Sequence, residues 1–451
     1  MKIALVSEHA SPLAVAGGVD TGGQSIYVAH VARQLQRAGH QVDVFTRRDR
    51  ALLPPISHMD GVRVIHVPAG PPMQLPKEQL LPHMGAFGAF LVDFCRHERQ
   101  RYDVVHANFF MSGLAALAVK DALGVPLVVT FHALGRVRRL HQGANDGFPD
   151  ERFAIEDELV RRADCIVAEC PADRDDLLAH YHADPARIAI VACGFDPGEF
   201  APLERERARR HLGWPRDAFA VLQLGRLVEC KGIDNVVRGV AALEARHGVR
   251  ARLYVVGGDA QTPNEIATPE IARLRGIAHR CGIEERVTFM GRRERAQLRD
   301  FYSAADVFVT TPWYEPFGIT PVEAMACATP VIGADVGGIR HTVRHGETGW
   351  LVPPRDPDAL AERLLAVHAD PVRARAMGEA GRARAQAHFT WRQIGLQLKD
   401  LYAQLAQPNQ HTQHAQHAPA AAHESEPPRD HEREREQAAA HARTATLRAF
   451  G

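Results

Sequence analysis

Short apolar, β-branched runs alternate along most of this chain with longer stretches of helical period. Lys2–Ser7, Val42–Thr46, Arg63–Val67, Asp103–Ala107, Leu127–Phe131, Cys165–Ala168 and Ile188–Val191 read as strands, because each is a brief apolar run bounded by turn residues. Helical stretches separate them. The first, Gln24–Ala38, is closed by Gly39-His40, as a C-terminal glycine commonly does. Such βα alternation builds a parallel sheet with ligands at the carboxyl ends of its strands. A glycine- and proline-rich crossing, Cys193–Pro202, then leads into a second series. Its strands are Ala220–Leu224, Arg252–Val256, Arg286–Met290, Asp306–Thr310, Val331–Ile332 and Trp350–Val352, with helices near Ile319–Ala328, Pro357–Val367 and Pro371–His388. Thr390–Leu405 predicts a last amphipathic helix, with Trp391, Ile394, Leu398, Leu401 and Leu405 on one stripe. From Pro408 onward large apolar residues nearly vanish. That composition buries too little surface to offset chain entropy and predicts disorder.

The expected fold class is therefore α/β, with two Rossmann-like domains, 1–195 and 196–388, then a terminal helix over 389–406 and a low-complexity tail over 407–451. At 451 residues, two cores of ordinary size fit. Lys+Arg and Asp+Glu both count 54, so no charge bias points to nucleic acid. The seven cysteines are dispersed without metal or redox spacing, as in a reduced, cytoplasmic protein. Met1–Val6 runs straight into a strand, too short for a signal peptide, and no run approaches about 18 apolar residues. A peripheral membrane habit stays open, and no oligomeric state follows. The six tail histidines lack a geometry that would hold a metal.

Candidate chemistry concentrates in Asp306–Ile332, DVFVTTPWYEPFGITPVEAMACATPVI. A buried strand leads into a loop that Pro312, Pro316 and Gly318 keep irregular, and then into a helix. The loop delivers Glu315 to the helix mouth, and Glu323 stands about one turn inside. Amides of Gly318, Ile319 and Thr320 at the helix start favour an anion. Two carboxylates flanking an anion cradle suit a ligand with both hydroxyls and phosphates. Taken singly, Glu323 could instead complement the helix dipole and Glu315 be a solvated loop charge. The loop Gly17-Gly18-Val19-Asp20-Thr21-Gly22-Gly23-Gln24 precedes the first helix and lets backbone approach a ligand closely. It is not the dinucleotide fingerprint. Arg47 and Arg48, after the second strand, keep open an NADP-dependent oxidoreductase that would hold a 2′-phosphate there. His132 stands at a strand exit, as a site residue or a core histidine. Arg136, Arg138 and Arg139 form a basic knot, a grip for an acceptor phosphate or a solvated loop. Residues 141–152 read as a polar loop, with Arg152 a second phosphate candidate or an ordinary surface arginine. Arg226 and Lys231 emerge at a strand end and a helix start, where their charges converge. No D-x-D triplet is placed to hold a metal, and two fixed cations can neutralise a departing diphosphate instead.

The Glu315-Pro316-Phe317-Gly318 and Glu323 pattern, two glutamates eight positions apart, resembles the acidic signature of the retaining GT-B glycosyltransferases of group 1, or family 4. Gly22-Gly23-Gln24 and His132-Ala133-Leu134-Gly135-Arg136 look most like the sucrose-phosphate synthase branch. The D-inositol-3-phosphate glycosyltransferase branch is a near neighbour, although its usual asparagine is Gln24 here. The resemblance spans about residues 1–406. It implies an acceptor-side N-terminal half and a donor-side C-terminal half facing across a cleft. It implies that Glu323 binds ribose hydroxyls, and that Glu315 with the Phe317-Gly318-Ile319 backbone holds the donor sugar. Arg226 and Lys231 would take the pyrophosphate, approached by Gly22 and Gly23 from across the cleft. His132 would contact the transferred sugar, and Arg292 would lie beside the nucleobase. Gln24, Arg136 and Arg152 are the acceptor-side candidates. The co-substrate is a nucleotide sugar, a UDP-hexose by the branch motifs, and no cofactor is needed. A non-catalytic sugar-nucleotide-binding protein on the same scaffold is the other alternative.

Overall fold

The computed structural model describes residues 1–14 and 22–407. Their strands fall into two sheets. The first contains β1 (Lys2–Val6), β2 (Gln41–Arg47), β3 (Ile56–Met59), β4 (Val62–Val67), β5 (Val104–Asn108), β6 (Leu127–Thr130), β7 (Cys165–Ala168) and β8 (Ile188–Ile190), ordered β3-β4-β2-β1-β5-β6-β7-β8. All neighbours are parallel except β3, which runs antiparallel on β4 at the edge. The second contains β9 (Phe219–Leu224), β10 (Ala251–Val256), β11 (Val287–Gly291), β12 (Val307–Thr310), β13 (Val331–Ala334) and β14 (Gly349–Val352), ordered β11-β10-β9-β12-β13-β14 and wholly parallel. The central strands β1, β5, β9 and β12 are buried throughout, as a sheet covered by helices on both faces requires, while the outer β3, β8 and β11 are partly exposed.

Each sheet has one place where the order reverses, between β1 and β5 in the first and between β9 and β12 in the second. Loops leaving two neighbouring strands there diverge to opposite faces and open a crevice at the carboxyl ends. The loop after β1 leads to Gly22, and the loops after β9 and β12 carry Arg226, Lys231 and Glu315. Topology thus selects the same stretches that the chemistry singled out.

The last helix, Trp391–Ala406, belongs to the second half by sequence and packs on the first. Trp391 stacks on His30 with ring centroids 5.1 Å apart, the Tyr402 hydroxyl meets His106 Nδ1, and a Cβ at Gly395 would stand 2.5 Å from Gln34. Trp391, Ile394, Leu398 and Tyr402 are buried, each contributing about 1.5–3 kcal/mol of apolar burial. Beside it the chain crosses a second time. Phe195 donates its amide to Phe389 O at 2.8 Å and accepts from the Trp391 amide at 3.0 Å, so the two crossings are stitched together.

Two local expectations need correction. The basic knot is a helix, Gly135–Gln142, followed by a 3-10 turn over Gly143–Asn145, so the polar loop begins only at Asp146. Ile56–Met59, unassigned in the sequence, is a strand. The glycine loop's Gly17 to Thr21 and the tail from Pro408 lie outside the described residues.

Candidate active site

The two halves approach at the start of the first helix, Gly23–Arg37. A Cβ at Gly22 would stand 3.9 Å from Arg226 Nε, and one at Gly23 would stand 3.4 Å from Ile319 Cδ1. The Arg226 side chain is exposed and has no hydrogen-bond or ion-pair partner among the described residues. Lys231 Nζ is paired with Glu315 Oε2. Gly318, with φ of 93°, caps the Ile319–Ala326 helix without a side chain, and that first turn holds no acid. No carboxylate within the helix's own first turn offsets its dipole, and the nearest acid is Glu315 of the preceding loop. Gly338 is required beneath this loop. Its amide donates to Glu315 O at 2.9 Å, and any Cβ there would collide with the Phe317 backbone. The Phe317 ring is buried against Phe389, so only its backbone can serve a ligand.

Glu323 is 1% exposed and each carboxylate oxygen already has one donor. Arg295 Nη1 lies 2.8 Å from Oε1, and the Tyr302 hydroxyl donates to Oε2 at 3.0 Å. Burial pushes its pKa above the usual carboxylate range, with Arg295 and Tyr302 opposing. One lone pair on each oxygen remains for a further donor. Arg295 is shared with Glu199. Neither it nor Tyr302 was singled out in the sequence. Their spacing on the amphipathic Arg295–Ala304 helix was the only local signal. Arg292 follows β11, its amide donating to Ala260 O at 2.8 Å and its carbonyl accepting from Arg293 Nη1 at 3.0 Å.

On the first half, His132 sits at φ 57° just past β6, and Phe109 at φ 86° just past β5. Left-handed backbone costs a non-glycine residue about 1 kcal/mol or more and clusters at functional sites. His132 Nδ1 lies 2.8 Å from Glu169 Oε1, and Nε2 lies 3.0 Å from Asn108 Oδ1. Burial would raise Glu169, yet His132 and the Cys193 thiol, which donates to it, hold it below the usual range. Gln24 Nε2 donates to Ser7 Oγ and to Asn108 O, both at 3.1 Å, at the ends of the central strands.

Three of the arginines singled out already have partners within the protein. Arg136 is taken up by both oxygens of Asp157 and lies 4.5 Å over the Tyr181 ring. Arg138, two residues on and so on the opposite helix face, is the one turned to the other half. Burial opposes its charge, but Asp146 and the neighbouring Tyr314 and Cys230 outweigh that. Arg152 is not at the surface. It is 1% exposed, 2.7 Å from Glu156 Oε1 through Nε, bonded to Ala133 O through Nη2, and flanked by Phe109, Phe110 and Phe148. Only its Nη1 lacks a partner. Arg47 is buried and donates to the carbonyls of Pro71 and Met73, at 2.7 and 2.6 Å. Arg47 therefore cannot also hold a 2′-phosphate; Arg48, the other arginine of that expectation, is partly exposed and donates to Ala51 O.

A family profile described as glycosyl transferases group 1 matches residues 204–384, and one for a glycosyl transferase 4-like domain matches residues 22–194. A D-inositol 3-phosphate glycosyltransferase of Corynebacterium diphtheriae is 36% identical over 413 residues, covering 90% of this chain and 95% of that protein. The chain belongs to the group 1 glycosyl transferases. A D-inositol 3-phosphate glycosyltransferase of Catenulispora acidiphila is 39% identical to this glycosyltransferase over 86% of its length and 92% of the relative's. Among solved structures, sucrose-phosphate synthase from Thermosynechococcus elongatus superposes with a TM-score of 0.82 at 34% identity, covering 90% and 98% of the two chains. Anabaena HepE in complex with UDP-glucose, at 22% identity and a TM-score of 0.70, covers 90% and 100% and shares the fold. The two α/β domains of this glycosyltransferase are thus a GT-B pair. No helix among its described residues is long and apolar enough to cross a membrane.

Proposed function

We propose that this glycosyltransferase moves a hexosyl group from a nucleotide sugar, a UDP-sugar in preference, to a hydroxyl of a sugar phosphate or phosphorylated cyclitol, with retention at the anomeric carbon. The supporting observation is the meeting of Gly22 with Arg226 beside the Lys231–Glu315 pair and the uncapped helix start. Preorganised cations and amides in a crevice stabilise charge that develops on a diphosphate as its bond to the sugar breaks, commonly by several kcal/mol. Arg226 and Lys231 are assigned to that diphosphate, with Gly22 and Gly23 closing over it. Glu315 is assigned to the sugar hydroxyls with the Phe317, Gly318, Ile319 and Thr320 backbone, and Glu323 to the ribose. His132, oriented by Glu169 and Asn108, is assigned to the transferred sugar.

In the proposed step the bond from the anomeric carbon to the diphosphate oxygen breaks, and the acceptor oxygen bonds to the same face. The acceptor proton passes to a donor phosphate oxygen, so no side-chain base is required. Acceptor choice follows the relatives' names, inositol 3-phosphate first and the sucrose-phosphate-type sugar phosphate second. Gln24 and Arg138 are assigned to it.

The test pairs UDP-, GDP- and ADP-hexoses with inositol 3-phosphate and with a hexose phosphate, and follows release of nucleoside diphosphate. Proton NMR of the product reads the anomeric configuration. Release with a retained configuration is expected from a UDP-sugar. An inverted product would sink the retaining step, and silence across all pairs would sink the transfer itself.

A further inference from the structure

At the amino ends of β9, β12 and β13, the side of the second domain opposite the cleft, lies a cavity of about 380 Å³. β9 alone has six residues, so its two ends are roughly 20 Å apart. Arg205 and Arg209 enter the cavity wall from the Arg205–Leu212 helix, Arg216 from the loop before β9, and Arg375 from the Pro371–His388 helix. Phe219 and Pro330 supply apolar lining.

Three carboxylates meet these four guanidinium groups, and two of them are paired. Asp306 accepts from Arg205 Nη1, Arg209 Nη2 and the Ala220 amide, each at 2.7 Å. Glu206 accepts from Arg216 at 2.6 Å. Asp217 is exposed and forms no ion pair among the described residues. Arg375 has no hydrogen-bond or ion-pair partner among them either. Burial, opposed by Asp306 and then reinforced by Arg209 and Arg375, lowers the pKa of Arg205. The wall therefore holds more positive charge than its own acids neutralise.

We propose that this cavity is a second ligand site, separate from the cleft, that binds a small phosphate monoester. Planar guanidinium forks match phosphate oxygens in pairs, which a halide or a lone carboxylate exploits less fully. Its volume falls within the range of small-ligand pockets, roughly 300–1,000 Å³, and the apolar lining can take the organic body. Arg375 and Arg205 are the residues that hold the phosphate.

Equilibrium dialysis of the full chain against labelled glycerol 3-phosphate counts equivalents bound per chain, in the parent, in Arg375→Glu, in Arg205→Gln and in the cleft variant Arg138→Ala. The parent and Arg138→Ala retain the remote equivalent. Arg375→Glu loses it or weakens it by about tenfold, and Arg205→Gln follows in the same direction. Arg375 is exposed and unpaired, so its replacement leaves circular dichroism and turnover in the absence of glycerol 3-phosphate unchanged. Equal binding by Arg375→Glu and the parent would overturn the proposal. So would no binding by the parent, or a single equivalent lost only in Arg138→Ala.

Discussion

Arg226 and Lys231 were singled out together, yet they stand differently. Lys231 is neutralised by Glu315, whereas Arg226 carries its charge unpaired beside Gly22. Arg226→Ala therefore removes no contact that holds the fold, and a denaturant curve should move by less than about 0.5 kcal/mol. Turnover should fall roughly 10²–10³-fold if the guanidinium meets the departing diphosphate. Lys231→Ala should reduce turnover comparably, and normal rates in either variant would remove it from the site. Arg152 is the opposite case. Its removal leaves Glu156 buried, with Gly135 N and the Tyr181 hydroxyl as remaining donors. Urea unfolding of Arg152→Ala should show a loss of about 3 kcal/mol. Residues at strand exits and helix mouths, such as Glu315 and Lys231, were legible because local chemistry marks such places. Glu169, Asn108, Tyr302 and Arg295 were not, since only the fold brings them beside His132 and Glu323. Which arginine of the basic knot faces the other half was not legible either, because the sequence did not show that Gly135–Gln142 is helical.

Among elements, the terminal helix shows what periodicity can and cannot give. Trp391, Ile394 and Leu398 are buried as the stripe predicts, but Leu401 and Leu405 are only partly covered while Tyr402 is fully buried. The seam follows i, i+4 from Leu398 to Tyr402, where His106 awaits the hydroxyl. Short segments without an apolar stripe, Ile56–Met59 and Gly135–Gln142, gave no such signal. The helix also rests on two buried histidines. Burial and then Arg295, Arg33 and Arg37 lower the pKa of His30 to about 3, and burial with His132 lowers that of His106 to about 3. Each is neutral when folded and titrates near 6.5 when unfolded. Their stabilising contribution is complete above pH 6.5 and is lost as pH falls towards 3. Urea midpoints measured from pH 7 to pH 4 should fall less steeply for His30→Phe than for the parent. Parallel curves would show that His30 does not titrate this docking.

For the whole molecule, the two sheets and their connection were readable from βα alternation and from the Cys193–Pro202 composition. How the halves face each other was not, because a few side chains far apart in sequence decide it. Gln142 Nε2 donates to the Tyr314 hydroxyl, His141 stacks on the Tyr314 ring at 5.0 Å, and the Cys170 thiol donates to Pro316 O at 3.2 Å. The loop carrying Glu315 is thus held by helices of the opposite half. Tyr314→Ala should loosen that hold, and small-angle scattering should give it a larger radius of gyration than the parent. Superimposable profiles would assign the spacing to other contacts.

The paired crossings at Phe195 and Phe389–Trp391 have a mechanical meaning. Two covalent links laid side by side and hydrogen-bonded to each other resist sliding and shearing, while leaving bending about their common line comparatively free. The lobes should consequently swing like a door on one pin. Cutting the polypeptide between them, before Phe389, would remove half of that pin together with the helix that seats it.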